Sequence, residues 1–145
     1  MRNALAISAA IGALTVAASA AVIPIVRAGD VTVTATYKGK GPVDDKHKIL
    51  VFLFDHPMPT ADSRPLGTVQ TVAKNGGSTT FTAVSASSVY VLAVYDEKSN
   101  YDGTSGPPPA GTPIGRPMKA GKPVPITPGP GGKVSVTFDD SQRWK

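Results

Sequence analysis

Along residues 31–38 the chain alternates, with Val31, Val33, Ala35 and Tyr37 on one side and Thr32, Thr34, Thr36 and Lys38 on the other. Side chains of an extended chain point to opposite faces in turn, so this period of two predicts a strand with one buried face. Gly39 to Asp45 reads as a polar turn, and the run Ile49-Leu50-Val51-Phe52-Leu53-Phe54 then follows, apolar at every position. The next segment, from Asp55 to Pro65, carries Pro57, Pro59 and Pro65. Proline cannot donate to a ladder, so a loop is predicted there. Moderate strands are predicted over 66–73 and 79–84, around the hairpin-type turn Asn75-Gly76-Gly77. Residues 89–95 make a second strongly apolar strand, and a 21-residue loop from Asp96 to Arg116 is expected after it. A weak strand at 123–126 and the alternation Val134, Val136, Phe138 close the pattern. No helical period stands out after residue 29. About seven short strands in this length predict an all-β fold, an antiparallel β-sandwich.

The two most apolar strands set a problem. In a two-sheet sandwich only one face of each strand meets the core. The second faces, Leu50, Phe52 and Phe54 on one strand and Tyr90, Leu92 and Val94 on the other, therefore need cover. Two readings are open. Either the proline-rich stretch from Gly106 to Pro117 folds back over them, or they form an exposed apolar patch that serves as an interaction face.

The first residues bear on location. Met1-Arg2-Asn3 precedes an uncharged, Ala-rich run from Ala4 to Ile23. A basic start followed by an apolar run has the form of a signal-peptide helix. About 20 apolar residues could also span a bilayer, but Ala and Ser gain little in lipid, and Pro24 stops a helix. Val26-Arg27-Ala28 offers small or compact residues to a signal peptidase, so cleavage is expected after Ala28, with Ala20 as the second position. The expected organisation is a signal peptide over residues 1–28 and one domain over 29–145, secreted or periplasmic, with membrane contact only transient through the signal segment.

Composition narrows this further. The chain has no cysteine, which excludes disulfides, thiolate chemistry and a lipidated N-terminal cysteine. Without Arg2 and Arg27 there remain 13 basic against 10 acidic residues. That mild, scattered excess has no Lys/Arg cluster of the kind a nucleic-acid surface needs, so no nucleic-acid partner is expected.

The order of elements resembles a known family. An opening Val-Thr-Val-Thr strand is followed by "ILVFLFDHPMP", then "STTFTAVSASSVYVLAVYDEKSNYDG", then a closing "KVSVTF". This is similar to the transthyretin-like, or carboxypeptidase-regulatory-like (prealbumin-like), β-sandwich domains of exported bacterial proteins. The hairpin from Phe81 through Val84 into 89–96 carries most of the likeness; the family's pattern there is Y-x-F-x-x-L-P-x-G-x-Y-x-L-x-x-x-x-D. Ser85-Ala86-Ser87-Ser88 stands where that pattern has its Pro-and-Gly turn. The resemblance implies a prealbumin-like (Ig-like) fold and an accessory, spacer or binding role. A fold alone does not license an activity.

Candidate chemistry is sparse. Asp96, Asn100 and Asp102 lie in one loop with Gly103 to turn it, and hard oxygens so spaced suggest calcium, which takes 6–8 of them. Lys98 opposes that reading, no bidentate Glu follows, and an Asx-rich turn is the alternative; apart from possible calcium, no cofactor is expected. His47 and His56 flank one strand about 30 Å apart when extended, too far for a shared site, and Asp55 beside His56 reads as a local hydrogen bond. There is no G-x-S-x-G elbow, no paired-carboxylate site and no helix behind a glycine loop. An internal isopeptide from Lys38 lacks its Asn. The stretch from Ser105 to Pro113 favours polyproline II, as a rigid lid or a partner's ligand. Tyr90, Tyr95, Tyr101 and Trp144 are the aromatics available to a sugar. The expected protein is therefore not an enzyme. It acts by contact with another exported or cell-envelope protein, by self-association, or as a structural accessory; the alternative is a calcium- or carbohydrate-binding module centred on the loop from Asp96 to Gly103.

Overall fold

The computed structural model describes residues 20, 21 and 28–145. The expected signal helix lies outside them, while Ala28 is exposed and immediately precedes the first strand.

The predicted alternation forms β1 (Gly29–Tyr37), in which Val31, Val33, Ala35 and Tyr37 are buried and the threonines are half-exposed. β1 is the middle strand of a three-stranded sheet, between β4 (Ser78–Val84) and β9 (Lys133–Phe138). On its outer side Thr32 bonds Thr80 and Thr34 bonds Ser78, so hydroxyl pairs cross the ladder between β1 and β4. The expectation of a wholly antiparallel fold is corrected here, because β1 and β9 run parallel from Thr32↔Lys133 to Tyr37↔Phe138. Strands so far apart in sequence need no tight hairpin, which leaves direction free to follow the chain's long return.

The second sheet is antiparallel, in the order β3 (Gln70–Val72), β2 (Ile49–Phe54), β5 (Tyr90–Tyr95), β6 (Ile114–Gly115). β2 and β5 pair along their full length, from Ile49↔Tyr95 to Phe54↔Tyr90. β3 is shorter than the strand expected at 66–73. Pro65 precedes it and Gly67 has φ +68°, so the chain joins the ladder only at Gln70. The weak strand expected at 123–126 is also redistributed. β8 (Lys122–Pro123) pairs with β7 (Met118–Lys119) in a separate ribbon, while Ile126 exchanges both backbone bonds with Val89.

Inward residues of both sheets meet in one buried cluster. β1 contributes Val31, Val33, Ala35 and Tyr37, β2 contributes Ile49, Val51 and Leu53, and β5 contributes Val91, Ala93 and Tyr95, with Phe81, Val136 and Phe138 closing the sides. Each large apolar side chain buried in this way stabilises the fold by about 1.5–3 kcal/mol. At one end of the cluster the Tyr37 and Tyr95 rings stack with centroids 3.9 Å apart, and Phe138 tilts against Tyr37. Their hydroxyls find partners at the rim: Tyr37 Oη donates to Asp140 Oδ1, and Tyr95 Oη donates to the Pro42 carbonyl. Burial, followed by the Asp140 bond, pushes the Tyr37 pKa above its ordinary value.

A second buried cluster lies on the opposite face of the β3-β2-β5-β6 sheet. It comprises Leu50, Phe52, Phe54, Leu92, Val94, Tyr101 and Ile114, with Val69 and Trp144 packed on it. What covers this face is loop and tail. The connection after β5 was expected to be free of strands, yet β6 lies near its end and extends the sheet by pairing with Ala93 and Val94. The C-terminal tail then runs along β6: Trp144 N donates to Thr112 O, Gly111 N donates to Trp144 O, and Ile114 N donates to Gln142 O. These bonds lay the Trp144 side chain onto the sheet.

Candidate functional site

Of the six residues expected to need cover, five are closed off from water: Leu50, Phe52, Phe54, Leu92 and Val94 are 0–5 % exposed. Only Tyr90, opposite Phe54 at the sheet's end, is half-exposed. The reading of an open patch on these side chains is thereby corrected. The loop layer removes their apolar surface from water, which is the driving force for its folding back. The cover is broader than the segment expected for it, since Tyr101 precedes the proline stretch and Trp144 comes from the C-terminal tail. Gly103 permits the close approach. It has φ +80°, and a Cβ there would lie 2.9–3.0 Å from Val69, Leu50 and Phe52.

The cover leaves two hollows. One, of about 380 Å³, lies between the loop of Thr60, Ser63 and Arg64 and that of Gly106, Pro107 and Pro108, floored by Phe52, Phe54 and Leu92. The other, of about 640 Å³, is walled by Met58, Pro59, Ile114, Arg116 and Gln142. Thr60, Ala61 and Trp144 line both, so the indole stands as a partition between them. Met58, 59 % exposed, is one of two large apolar side chains left in water among the described residues. Arg116 is half-buried, its Nε is buried with no hydrogen-bond partner among the described residues, and burial lowers its pKa with no carboxylate to offset that cost. A partly desolvated guanidinium without an anion is a poor arrangement for the isolated chain and a good one for receiving a carboxylate.

The residues singled out for calcium behave as turn residues. Asp96 is buried; its Oδ1 accepts the Asn100 N–H at 3.1 Å and its Oδ2 accepts the Tyr101 N–H at 3.4 Å. Asp102 Oδ1 accepts the Thr104 N–H at 2.8 Å, and that bond is the main reason its pKa is lowered. Asn100 is exposed. Among the described residues no three of His, Asp and Glu converge on a point that could hold a metal ion. Each carboxylate is thus engaged with its own loop's backbone, and the bonds hold Tyr101 over Phe52, ring centroids 6.3 Å apart. Burial drives the Tyr101 pKa up to about 12. Tyr95 belongs to the inter-sheet core and Tyr101 to the outer cluster, so neither offers a face to a sugar. Within the proline stretch Pro108 and Pro113 are buried, while Pro107 and Pro109 are exposed.

The histidines are held apart, as their spacing requires. His47 Nδ1 lies 3.0 Å from Asp44 Oδ1, whereas His56 Nδ1 lies 2.6 Å from Asp55 Oδ1. His56 also reaches Ser63, Nε2 to Oγ at 2.8 Å. Neither Ser63, Arg116 nor Trp144's place beside them was marked by the sequence patterns. A lone Ser in a proline loop and a lone Arg carry no periodic signal.

No family model matches the chain, and no curated protein matches it. Among solved structures, an alternative pilotin from the type II secretion system of Vibrio cholerae is similar over 76 % of this chain and 94 % of its own, at 16 % identity and a TM-score of 0.26. A likeness at that level carries no argument about fold or role. No helix of the described residues is long and apolar enough to cross a membrane.

Proposed function

We propose that this chain is an exported recognition module, a transthyretin-like β-sandwich that docks another exported or cell-envelope protein on the loop layer covering its outer sheet face. The shared core between the two sheets supports the sandwich, and the connection expected to be a hairpin from β4 into β5 instead carries the chain from one sheet to the other. The observation that carries the function is the pair of hollows parted by Trp144, with exposed Met58 and an anion-less Arg116 on one side. An aromatic partition beside a desolvated cation suits a partner segment that presents an apolar side chain next to a carboxylate. Aromatic and Arg side chains are the ones that most often dominate such contacts.

Trp144 is the single tryptophan, so its fluorescence reports directly on the groove. Titration with short peptides pairing an apolar residue with Glu should shift Trp144 emission and saturate, while the Gln counterparts bind more weakly by about tenfold or more. Arg116→Gln should remove that preference. Absence of any emission change with acidic and neutral peptides alike would overturn the reading. If light scattering shows dimers whose dissociation restores Trp144 exposure, the partner is a second copy of the chain.

A further inference from the structure

The loop that follows β2 contains an arrangement that the recognition reading does not use. Asp55 and His56 leave the end of β2, the chain passes Pro57, Met58 and Pro59, and a turn at Thr60–Ser63, closed by Ser63 N donating to Thr60 O at 3.0 Å, brings Ser63 back over the imidazole. Three side chains then connect in series. Asp55 Oδ1 stands 2.6 Å from His56 Nδ1, and His56 Nε2 stands 2.8 Å from Ser63 Oγ. A carboxylate at Nδ1 holds the proton on that nitrogen and leaves the Nε2 lone pair to accept from the serine hydroxyl. The imidazole is steadied from the other side by the Phe54 ring, edge-on at a centroid distance of 5.7 Å.

The serine oxygen has a second partner. The Thr60 N–H donates to Ser63 Oγ at 2.8 Å, and a donor aimed at this oxygen stabilises the negative charge that grows on it as its proton leaves. The next N–H in the chain, that of Arg64, has no protein acceptor among the described residues. In front of Ser63 lies the hollow of about 380 Å³ whose walls include Phe52, Leu92, Pro107 and Trp144. Asp62, Arg64 and Thr104 line it as well, so the lining is mixed, and its apolar part offers room for a small acyl or aryl group. Asp55 and His56 are 68 % and 40 % exposed in their side chains, so water reaches the imidazole.

We propose that Asp55, His56 and Ser63 form a nucleophilic relay, and that Ser63 accepts the acyl group of small apolar esters. Ser63 Oγ bonds to the ester carbonyl carbon while its proton passes to His56 Nε2. The carbon–oxygen bond to the alcohol breaks, and the departing alkoxide takes that proton, leaving acyl-Ser63 and a free alcohol. Water then gives a proton to His56 Nε2 as its oxygen bonds to the acyl carbon. The bond to Ser63 breaks, Ser63 recovers the proton, and the carboxylic acid is released. Asp55 holds the ring and balances its charge throughout, without taking the proton. This departs from the expectation that the chain is not an enzyme. Ser63 sits not on a strand-to-helix elbow but in a turn seven residues after its histidine.

The test uses the purified chain, a fluorophosphonate probe and p-nitrophenyl butyrate. Mass spectrometry should find one phosphonyl adduct, on Ser63, and p-nitrophenol release should saturate with ester concentration. Ser63→Ala should abolish both signals. His56→Gln should slow them by on the order of a hundredfold, with an unchanged circular dichroism spectrum. A second measurement stands apart from ester turnover. Because the chain has no cysteine, Ser63→Cys introduces a single thiol. Its alkylation by iodoacetamide should be about tenfold faster with His56 present than with His56→Gln in the same background, since a neighbouring imidazole favours the thiolate. Adducts spread over several serines, or labelling and alkylation rates indifferent to His56, would overturn the proposal. The relay and the recognition site share the hollow walled by Trp144, but the peptide titration requires no chemistry at Ser63: Ser63→Ala should bind the peptides as the parent chain does, so either reading can fail alone.

Discussion

The two faces of the β3-β2-β5-β6 sheet are equally apolar and are buried in different ways. On the inner face Ile49, Val51, Leu53, Val91, Ala93 and Tyr95 meet side chains of a second sheet. On the outer face Leu50, Phe52, Phe54, Leu92 and Val94 meet a loop, a two-residue strand and a chain terminus. A sheet is held by a ladder of backbone bonds and presents its side chains at fixed intervals, so it fills the opposing surface evenly. Loops held by scattered bonds do not: the two hollows beside Trp144 open over the sheet's apolar face, whereas on the inner side a hollow of about 500 Å³ opens at the sheet edge, by Gln70, Phe81 and Val84. Apolar strands thus supply stability wherever they are covered, but the kind of cover decides where a cleft is left.

If that contrast holds, the two faces should respond unequally to the same loss of volume. Leu53→Ala, under the opposing sheet, should lower the free energy of unfolding by about 3–5 kcal/mol, because a ladder-bound neighbour cannot collapse into the void. Leu92→Ala, beside a hollow and under a cover of loop and tail, should lose nearer 2–3 kcal/mol. Denaturant titration followed by circular dichroism measures both, and equal losses would break the comparison.

A smaller effect is expected from disturbing only the cover. Gly103→Val would place side-chain atoms against Val69, Leu50 and Phe52 from a backbone at φ +80°. It should lift the loop, cost about 1–3 kcal/mol and move Trp144 emission to the red. Retained wild-type emission would show that Trp144 is seated by the tail bonds alone.

The mildest perturbation is alkaline. Burial is the first cause of the raised pKa of Tyr37, whose bond to Asp140 adds to it, and of Tyr101, which stands at about 12. Above the ordinary phenol value of 10.0 the unfolded chain loses these protons while the native chain keeps them. The stabilisation is complete below that pH and is lost as the pH rises towards the native values. Thermal melts from about pH 9 to pH 11 should show a falling midpoint, less steep in Tyr101→Phe. An unchanged slope would mean that the outer layer is open to hydroxide.

Much of the fold could be read in one dimension because strand burial has a period of two. Val31 to Tyr37 alternates in sequence and in exposure alike, and β2 and β5 were evident from unbroken apolar runs. The boundaries of β3, the existence of β6 and the parallel pairing of β1 with β9 were not legible. Each depends on which distant segment arrives alongside. The candidate residues show the same division. Asp55 and His56 are neighbours in the chain, so their pairing was visible, and the Asp96–Gly103 turn was visible for the same reason. Ser63 becomes their partner only through the Thr60 turn. Arg116 and Trp144 come to one groove from either side of β9.

What the amino-acid order determined alone is therefore local: an all-β chain, two strands too apolar to leave a face in water, and a set of proline-rich loops long enough to cover one. The tertiary structure decided which loop and which tail supplied the cover, and with them where the hollows opened and which polar side chains reached their edges. The physical reason is that burial of apolar surface is non-directional. Sequence can require that Leu50, Phe52 and Leu92 be covered. Only the packed chain, with Trp144 N–H donating to the Thr112 carbonyl and its close approach at Gly103, selects the cover.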